Sequence, residues 1–490
     1  MKRTTLLSSF IIVLSSLTIS AKAQDLVVTV DSVGKLATEL PDSIRFTVSD
    51  LKICGPINGN DIKVIQAIAN RQKIKNEDEQ LLRSIDLSEV SIAEVRGTFS
   101  TKTNVLPSAM FQNCSQLEHI RLPKDIIEIG RSCFSGCSSL TEIDIPESVT
   151  AIGNYAFNGC TSLTEITLPE SVTAVNNGLF AGCDHLSTVN LPPSVTTIGD
   201  AAFKGCMSIT KIELPEGITK ISDGAFRDCQ GLTTIDLRNA SQLGDDLFAG
   251  CTSLYDVTLP EGLKKLGKRT FLDCKSLTDI TLPESLQQID DRAFDGCVML
   301  RSMEIPSMVR KLGSGAFQNC TSIDSVNISG FIDKIDKSTF RYCRSLRVIS
   351  LPVSVKSIGS SAFEQCSSLS HISLPVSVTS IGDDAFEQCV SLTEIELPAA
   401  CATIGSDAFR ECSSLSRAEM PATTKKIGGS AFQKCVSLTE VVIGSSNPPS
   451  IAGSTFKGVN SSCKFYVPRG SKSTYKVNKD WKKISHIVEY

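Results

Sequence analysis

The stretch Leu140-Thr-Glu-Ile-Asp-Ile-Pro-Glu-Ser-Val-Thr-Ala-Ile-Gly-Asn-Tyr-Ala-Phe-Asn-Gly-Cys-Thr-Ser162 decides the fold of this chain. Its Phe157 recurs at Phe111, Phe134, Phe180, Phe203, Phe226, Phe248, Phe271, Phe294, Phe317, Phe340, Phe363, Phe386, Phe409, Phe432 and Phe456. The step is 23 residues nearly throughout, 22 before Phe248 and 24 before Phe456. A fixed period of this length specifies a solenoid: one repeat cannot bury its own apolar face, and stacking the copies makes the core. The product is a long surface, which suits recognition along its length better than chemistry in one deep cleft.

Within the unit, Ile143 and Ile145 alternate with Glu142 and Asp144, so a short strand with one buried face is expected. Pro146 ends it, because it has no N–H to give a ladder. Val149 and Ile152 mark a second short extended piece, and Gly153 then turns the chain. The Gly153 column is mostly Gly, with Asn176, Asp290 and Asp336 among its substitutes, which predicts a left-handed backbone position. A brief helical turn is expected next, with Phe157 and Cys160 on its inner face. The expected architecture is about 16 coils of 23 residues from 106 to 456, with a parallel sheet on one side, short helical turns and a cap at each end. At ~4.8 Å per coil that solenoid spans roughly 75 Å.

The two ends differ from the array. Residues 1–23 read as a secretory signal peptide: Lys2 and Arg3, an apolar stretch from Leu6 to Ile19, and Ala21-Lys22-Ala23 before a cleavage point at Gln24. The apolar run is shorter than the ~20 residues a membrane span needs. Residues 24–105 read as an N-terminal cap with helix-compatible stretches at Asp61 to Ala69 and Asn76 to Leu82, and residues 457–490 as a C-terminal cap. Removing Lys2, Arg3 and Lys22 takes the formal charge from −4 to −7, which argues against nucleic acid as a partner.

Of the 19 cysteines, most follow the repeat Phe by three residues, as Cys160 follows Phe157. A column that holds Cys in coil after coil reads as buried thiols, since free Cys packs as a small hydrophobe. No CxxC occurs and no His joins the ladder, so zinc is not expected. His119 and His371 share one column eleven coils apart and cannot meet. The chain has no P-loop, no HExxH and no GxGxxG in a βαβ context, so no cofactor, metal or catalytic residue is assigned and a non-enzymatic protein is expected.

The motif LxxIxLPxSVTxIGxxAFxxCxSL resembles the BspA-like leucine-rich repeat family of exported bacterial and protist surface proteins. The segment Leu81-Leu82-Arg83-Ser84-Ile85-Asp86-Leu87-Ser88 looks like an early variant repeat, and the tail from Phe465 to Tyr475 with Trp481 is similar to the family's closing segment. The resemblance implies an exported protein, secreted, on the cell surface or in the periplasm, with a role in recognition or adhesion.

The outward strand positions supply the candidate site. Asp144, Glu142, Glu165, Glu213, Asp236, Asp256, Asp279, Glu304, Glu394, Glu396, Glu419 and Glu440 fall there, against only Arg121, Lys211 and Arg417. The second extended piece has the opposite bias, with Lys220, Lys264, Lys265, Arg310, Lys311, Lys334, Lys356, Lys425 and Lys426. A protein partner docking on the acidic strip is the leading expectation. A glycan-binding component of a carbohydrate-capture system and a structural spacer are the alternatives; neither strand column contains an aromatic platform for sugar stacking.

Overall fold

The computed structural model describes residues 25–71, 81–96 and 100–490. The expected signal peptide and most of the stretch Asn76 to Leu82 lie outside the described residues. The rest forms a parallel β-solenoid of about 20 turns with ~23-residue spacing and little helix. Each coil contributes its first strand to one parallel sheet, for example Thr188↔Glu165 and Arg417↔Glu440, and its second strand to another, as in Thr197↔Ala174 and Thr197↔Lys220. The first sheet is interrupted at the coils of Ile143, Ile212, Ile280 and Ile372, which lie outside strands.

The sheet does not begin with the regular repeats. Strand Asp25–Thr29 pairs with Asp50–Ile57, that strand with Ser84–Ile92, and that one with His119–Arg121, all in parallel. The same register, Asp25↔Asp50↔Ser84↔His119, leads into the repeat columns. The helix expected from Asp61 is present as Gly59–Ala69. Asn58 and Asp61 form a capping box at its start, and Ile62, Ile65 and Ile68 are buried. Asp61 is itself buried and accepts from the backbone N–H groups of Gly34 (2.6 Å), Leu36 (2.9 Å) and Asn58 (2.9 Å), which compensates its burial.

The core is a set of columns. Phe111 to Phe456 form one continuous stack, ring centroids 5.2–5.8 Å apart and interplanar angles of 2–21°. All the cysteines are free thiols. From Cys137 to Cys435 each ladder Sγ lies 3.0–3.2 Å from the carbonyl oxygen of the preceding coil's Phe, as Cys137 does with Phe111 and Cys229 with Phe203. That carbonyl also accepts the N–H of its own coil's Cys, for instance Cys114 N to Phe111 O at 3.1 Å.

Two local expectations are corrected. The glycines of the Gly153 column lie outside the left-handed region. They are glycine because the preceding coil comes too close: a Cβ on Gly153 would sit 2.5 Å from the Arg131 nitrogen. The left-handed residues fall two positions later, at Tyr155 (φ 60°), and two positions after the Phe, at Gly159 (φ 72°). The expected helical turn is instead a chain of tight turns bonded to the next coil. Ala156 N–H returns to Gly153 O and Cys160 N–H to Phe157 O, while Tyr155, Phe157 and Gly159 donate forward to Asn177, Leu179 and Ala181. Alternating left-handed residues turn every second N–H along the stacking direction, which a helix cannot do.

Candidate interaction face

The first-strand sheet presents two outward columns along the whole solenoid. Of the twelve acidic positions, Glu419 is half-buried and the other eleven are exposed. The columns continue beyond the regular repeats through Asp25, Asp50 and Ser84 in one and Val27, Lys52 and Asp86 in the other. These residues were not among the sequence candidates, although the alternation Asp50-Leu51-Lys52-Ile53 carries the period-two signal.

The acidic residues divide by partner. Lys211 Nζ stands 3.0 Å from Glu213, Arg238 Nη2 2.6 Å from Asp236, and Arg417 contacts both Glu419 and Glu440. The Arg238 bond holds the Asp236 carboxyl below its ordinary range. Glu304 accepts from Asn327 Nδ2 at 2.8 Å and Asp279 from the Thr278 hydroxyl at 2.9 Å. Glu142, Asp144, Glu165, Asp256, Glu394 and Glu396 make no ion pair among the described residues. At the N-terminal end Asp86 sits between Lys52 (3.9 Å) and Arg121 (3.7 Å), so charge alternates there.

This face is also where surface depressions concentrate. One of about 470 Å³ spans Asp25 to Asp144, and others of about 430, 410 and 380 Å³ lie along Lys211–Thr258, Asp279–Ser329 and His371–Arg417. Each is floored by inward residues of the first strands, such as Ile235 or Ile395, and walled by the charged columns.

The second-strand lysines are exposed as expected, but the middle of their strip is neutralised. Lys265 and Lys311 both bind Asp290, at 2.9 and 2.8 Å, and Lys334 binds Asp336 at 2.9 Å. Asp290 and Asp336 occupy the glycine column, so these carboxylates sit beside the lysines of their own and neighbouring coils.

The profile of the BspA type leucine rich repeat region matches residues 104–233, 221–347 and 333–464. A leucine-rich repeat protein from Bacteroides ovatus ATCC 8483 is 31% identical, with 70% of this chain and 87% of that one covered and a TM-score of 0.56. A leucine rich cell surface protein from Faecalibacterium prausnitzii A2-165 is 23% identical over 74% of this chain and 86% of its own, with a TM-score of 0.40. A search of curated proteins finds no match. No helix among the described residues is long and apolar enough to cross a membrane. With its repeats matched from 104 to 464, this chain belongs to the BspA-type leucine-rich repeat family.

Proposed function

We propose that this protein is an exported, non-enzymatic recognition protein that binds a protein partner along its first-strand face. The observation that carries the reading is the set of carboxylates without an ion pair among the described residues, Glu142, Asp144, Glu165, Asp256, Glu394 and Glu396, all but Glu165 lining shallow depressions of one face. Exposed charge of one sign steers encounter and rejects wrong partners. A face repeated over many coils lets several weak contacts act together, which is how adhesion gains avidity. Membership in a family of surface proteins supports export, and the recurrence of equivalent side chains on many coils supports recognition over catalysis at one centre.

The test uses the full mature chain on beads, exposed to a surface-protein extract from the cells of its surroundings. Reversing Glu142, Glu165, Asp256, Glu394 and Glu396 to Lys should abolish capture of the retained protein while leaving the thermal melt intact. Reversing Lys220, Lys264, Arg310, Lys356 and Lys425 to Glu should leave most of the capture. Binding should also weaken as salt rises, because exposed charges are screened over ~10 Å at 0.1 M. Equal capture by the parent and both variants would remove the strand face from the binding surface.

A further inference from the structure

The left-handed column two residues after each Phe changes character along the chain. Through the first part of the solenoid it is mostly glycine, as at Gly136, Gly159, Gly182 and Gly205. From Tyr342 it holds large side chains in five successive coils: Tyr342, Gln365, Gln388, Glu411 and Lys434, all at φ 59–63°. A side chain with a Cβ in this conformation is disfavoured, and a run of them where glycine is the norm points to a use for the side chains. The other left-handed column mixes glycine, as at Gly178, Gly224 and Gly315, with side chains such as Tyr155, Arg269 and Arg292 already in the first part of the solenoid.

Gln365, Gln388, Glu411 and Lys434 form one wall of an open groove of about 710 Å³ on the turn side, away from the strand sheets, with Arg344 at one end. The other wall carries Ser367, Val390, Ser413 and Val436, polar and apolar in alternate coils. We propose that this groove binds a neutral, β-1,4-linked polysaccharide chain running along the solenoid. Three observations select that class of ligand.

First, the groove offers no strand edge. The N–H groups of Gln365, Gln388 and Glu411 are spent on the carbonyls of Glu387, Arg410 and Gln433 at 2.7–2.8 Å, so an extended peptide has no backbone ladder to join. Second, its polar groups largely satisfy one another. Glu411 takes the Lys434 ammonium at 2.7 Å and the Gln388 amide at 3.0 Å, and Arg344, the remaining cation of the lining, reaches the Gln365 amide oxygen at 3.5 Å, so amides and hydroxyls that match sugar hydroxyls outnumber the one unbalanced charge. Third, the spacing fits. The Phe rings of these coils repeat every 5.2 Å, so each coil offers one polar group per 5.2 Å. An extended peptide repeats its same-side groups every ~6.6 Å and drifts out of step. An equatorially linked pyranose chain advances by nearly one coil per ring, and its rings flip alternately. The Ser–Val alternation therefore meets the same ring face every second coil. This site is separate from the strand face and does not rest on its proposed role.

The test is native affinity electrophoresis of the full mature chain in gels containing hydroxyethylcellulose or glucomannan, with dextran gels as the α-linked control. The parent should be retarded in at least one β-1,4-linked gel and not by dextran. The triple variant Gln365→Gly, Gln388→Gly, Glu411→Gly should lose at least ten-fold in retardation affinity yet melt at or above the parent temperature, because glycine relieves the left-handed positions. Gln388→Leu, which keeps its Cβ and removes only the amide, should also weaken retention. The strand-face reversal should remain retarded, so failure here and failure of the strand-face reading are distinguishable. No retardation in either β-1,4-linked gel, equal retardation by dextran, or full retention by the triple variant would overturn the proposal. Loss of protein capture by the triple variant without polysaccharide retardation would assign the groove to a protein instead.

Discussion

A Cβ on Gly405 would sit 2.4 Å from both the Asp383 nitrogen and the Gly382 carbonyl carbon of the coil before it. No side-chain adjustment relieves a contact with backbone, so the coils themselves must part. At Gly159 the case is different: φ is +72°, but the nearest atom to an added Cβ is 3.7 Å away. Gly405→Ala should therefore cost roughly 3 kcal/mol, at the upper end of overpacking penalties. Gly159→Ala should cost only the ~1–2 kcal/mol of a left-handed alanine. Denaturant melts of both variants decide the matter, and the opposite ranking would return the Gly153 column to a conformational role. The same residues show what sequence could and could not tell. That the column favours glycine was legible from its recurrence; why was not, since a close approach between coils and a positive φ select the same residue. The Phe and Cys ladders were legible because burial demands one size and polarity in every coil, whereas the Sγ–carbonyl contact needs the stacking geometry.

Between coils, the second-strand sheet is held by more than its ladder. Asp290 is 3% exposed at its side chain and receives Lys265 from the coil before and Lys311 from the coil after, with Gln288 Nε2 a third donor. Burial alone would raise its carboxyl, but these bonds outweigh it and hold the group down at about 2. A carboxyl depressed on folding adds stability that is present above its unfolded value near 3.9 and is lost as pH falls through about 2. The shift is worth about 1–2 kcal/mol once the exposure of the two lysines is discounted. Asp290→Asn should lose about that amount at pH 7 and show a flatter decline in stability between pH 4 and 2 than the parent. Parallel acid profiles with a constant offset would mean that the carboxylate is not the linked group. This triad was hidden in the sequence: the lysines read as an exposed basic strip and Asp290 as a glycine substitute, and only stacking brings the columns together. For the acidic strip, sequence placed the outward positions but not the neutralisation of Glu213 by Lys211 or of Asp236 by Arg238, which depends on rotamers rather than on period.

A molecule built of stacked coils has two ends that must be closed, and its stability is close to one-dimensional because each coil contacts only its neighbours. The Phe stack stops at Phe456, where Phe465 meets it edge-on at 4.9 Å and Trp481 lies 6.0 Å away, with Tyr475 edge-on to the indole at 5.0 Å. Trp481 and Tyr475 are fully buried, and their polar ends are satisfied: Nε1 donates to Pro449 O and the Tyr475 hydroxyl to Ser445 O, each at 2.7 Å. The tail thus covers the end of the Phe stack with buried aromatic side chains, while the first-strand sheet continues into it through Lys464–Val467 and Ile487–Glu489. Trp481→Ala should cost about 3–5 kcal/mol as a buried aromatic. That cost should be local: amide exchange in residues 440–467 should accelerate strongly while residues 106–300 keep the parent's protection. Phe271→Ala, a comparable deletion in mid-stack, should instead weaken protection on both sides of its coil, because it interrupts the column that its neighbours share. Hydrogen exchange read by mass spectrometry separates the two patterns. Uniform loss of protection in Trp481→Ala would mean that the solenoid unfolds as a single cooperative unit and that closure at the C-terminal end stabilises every coil alike.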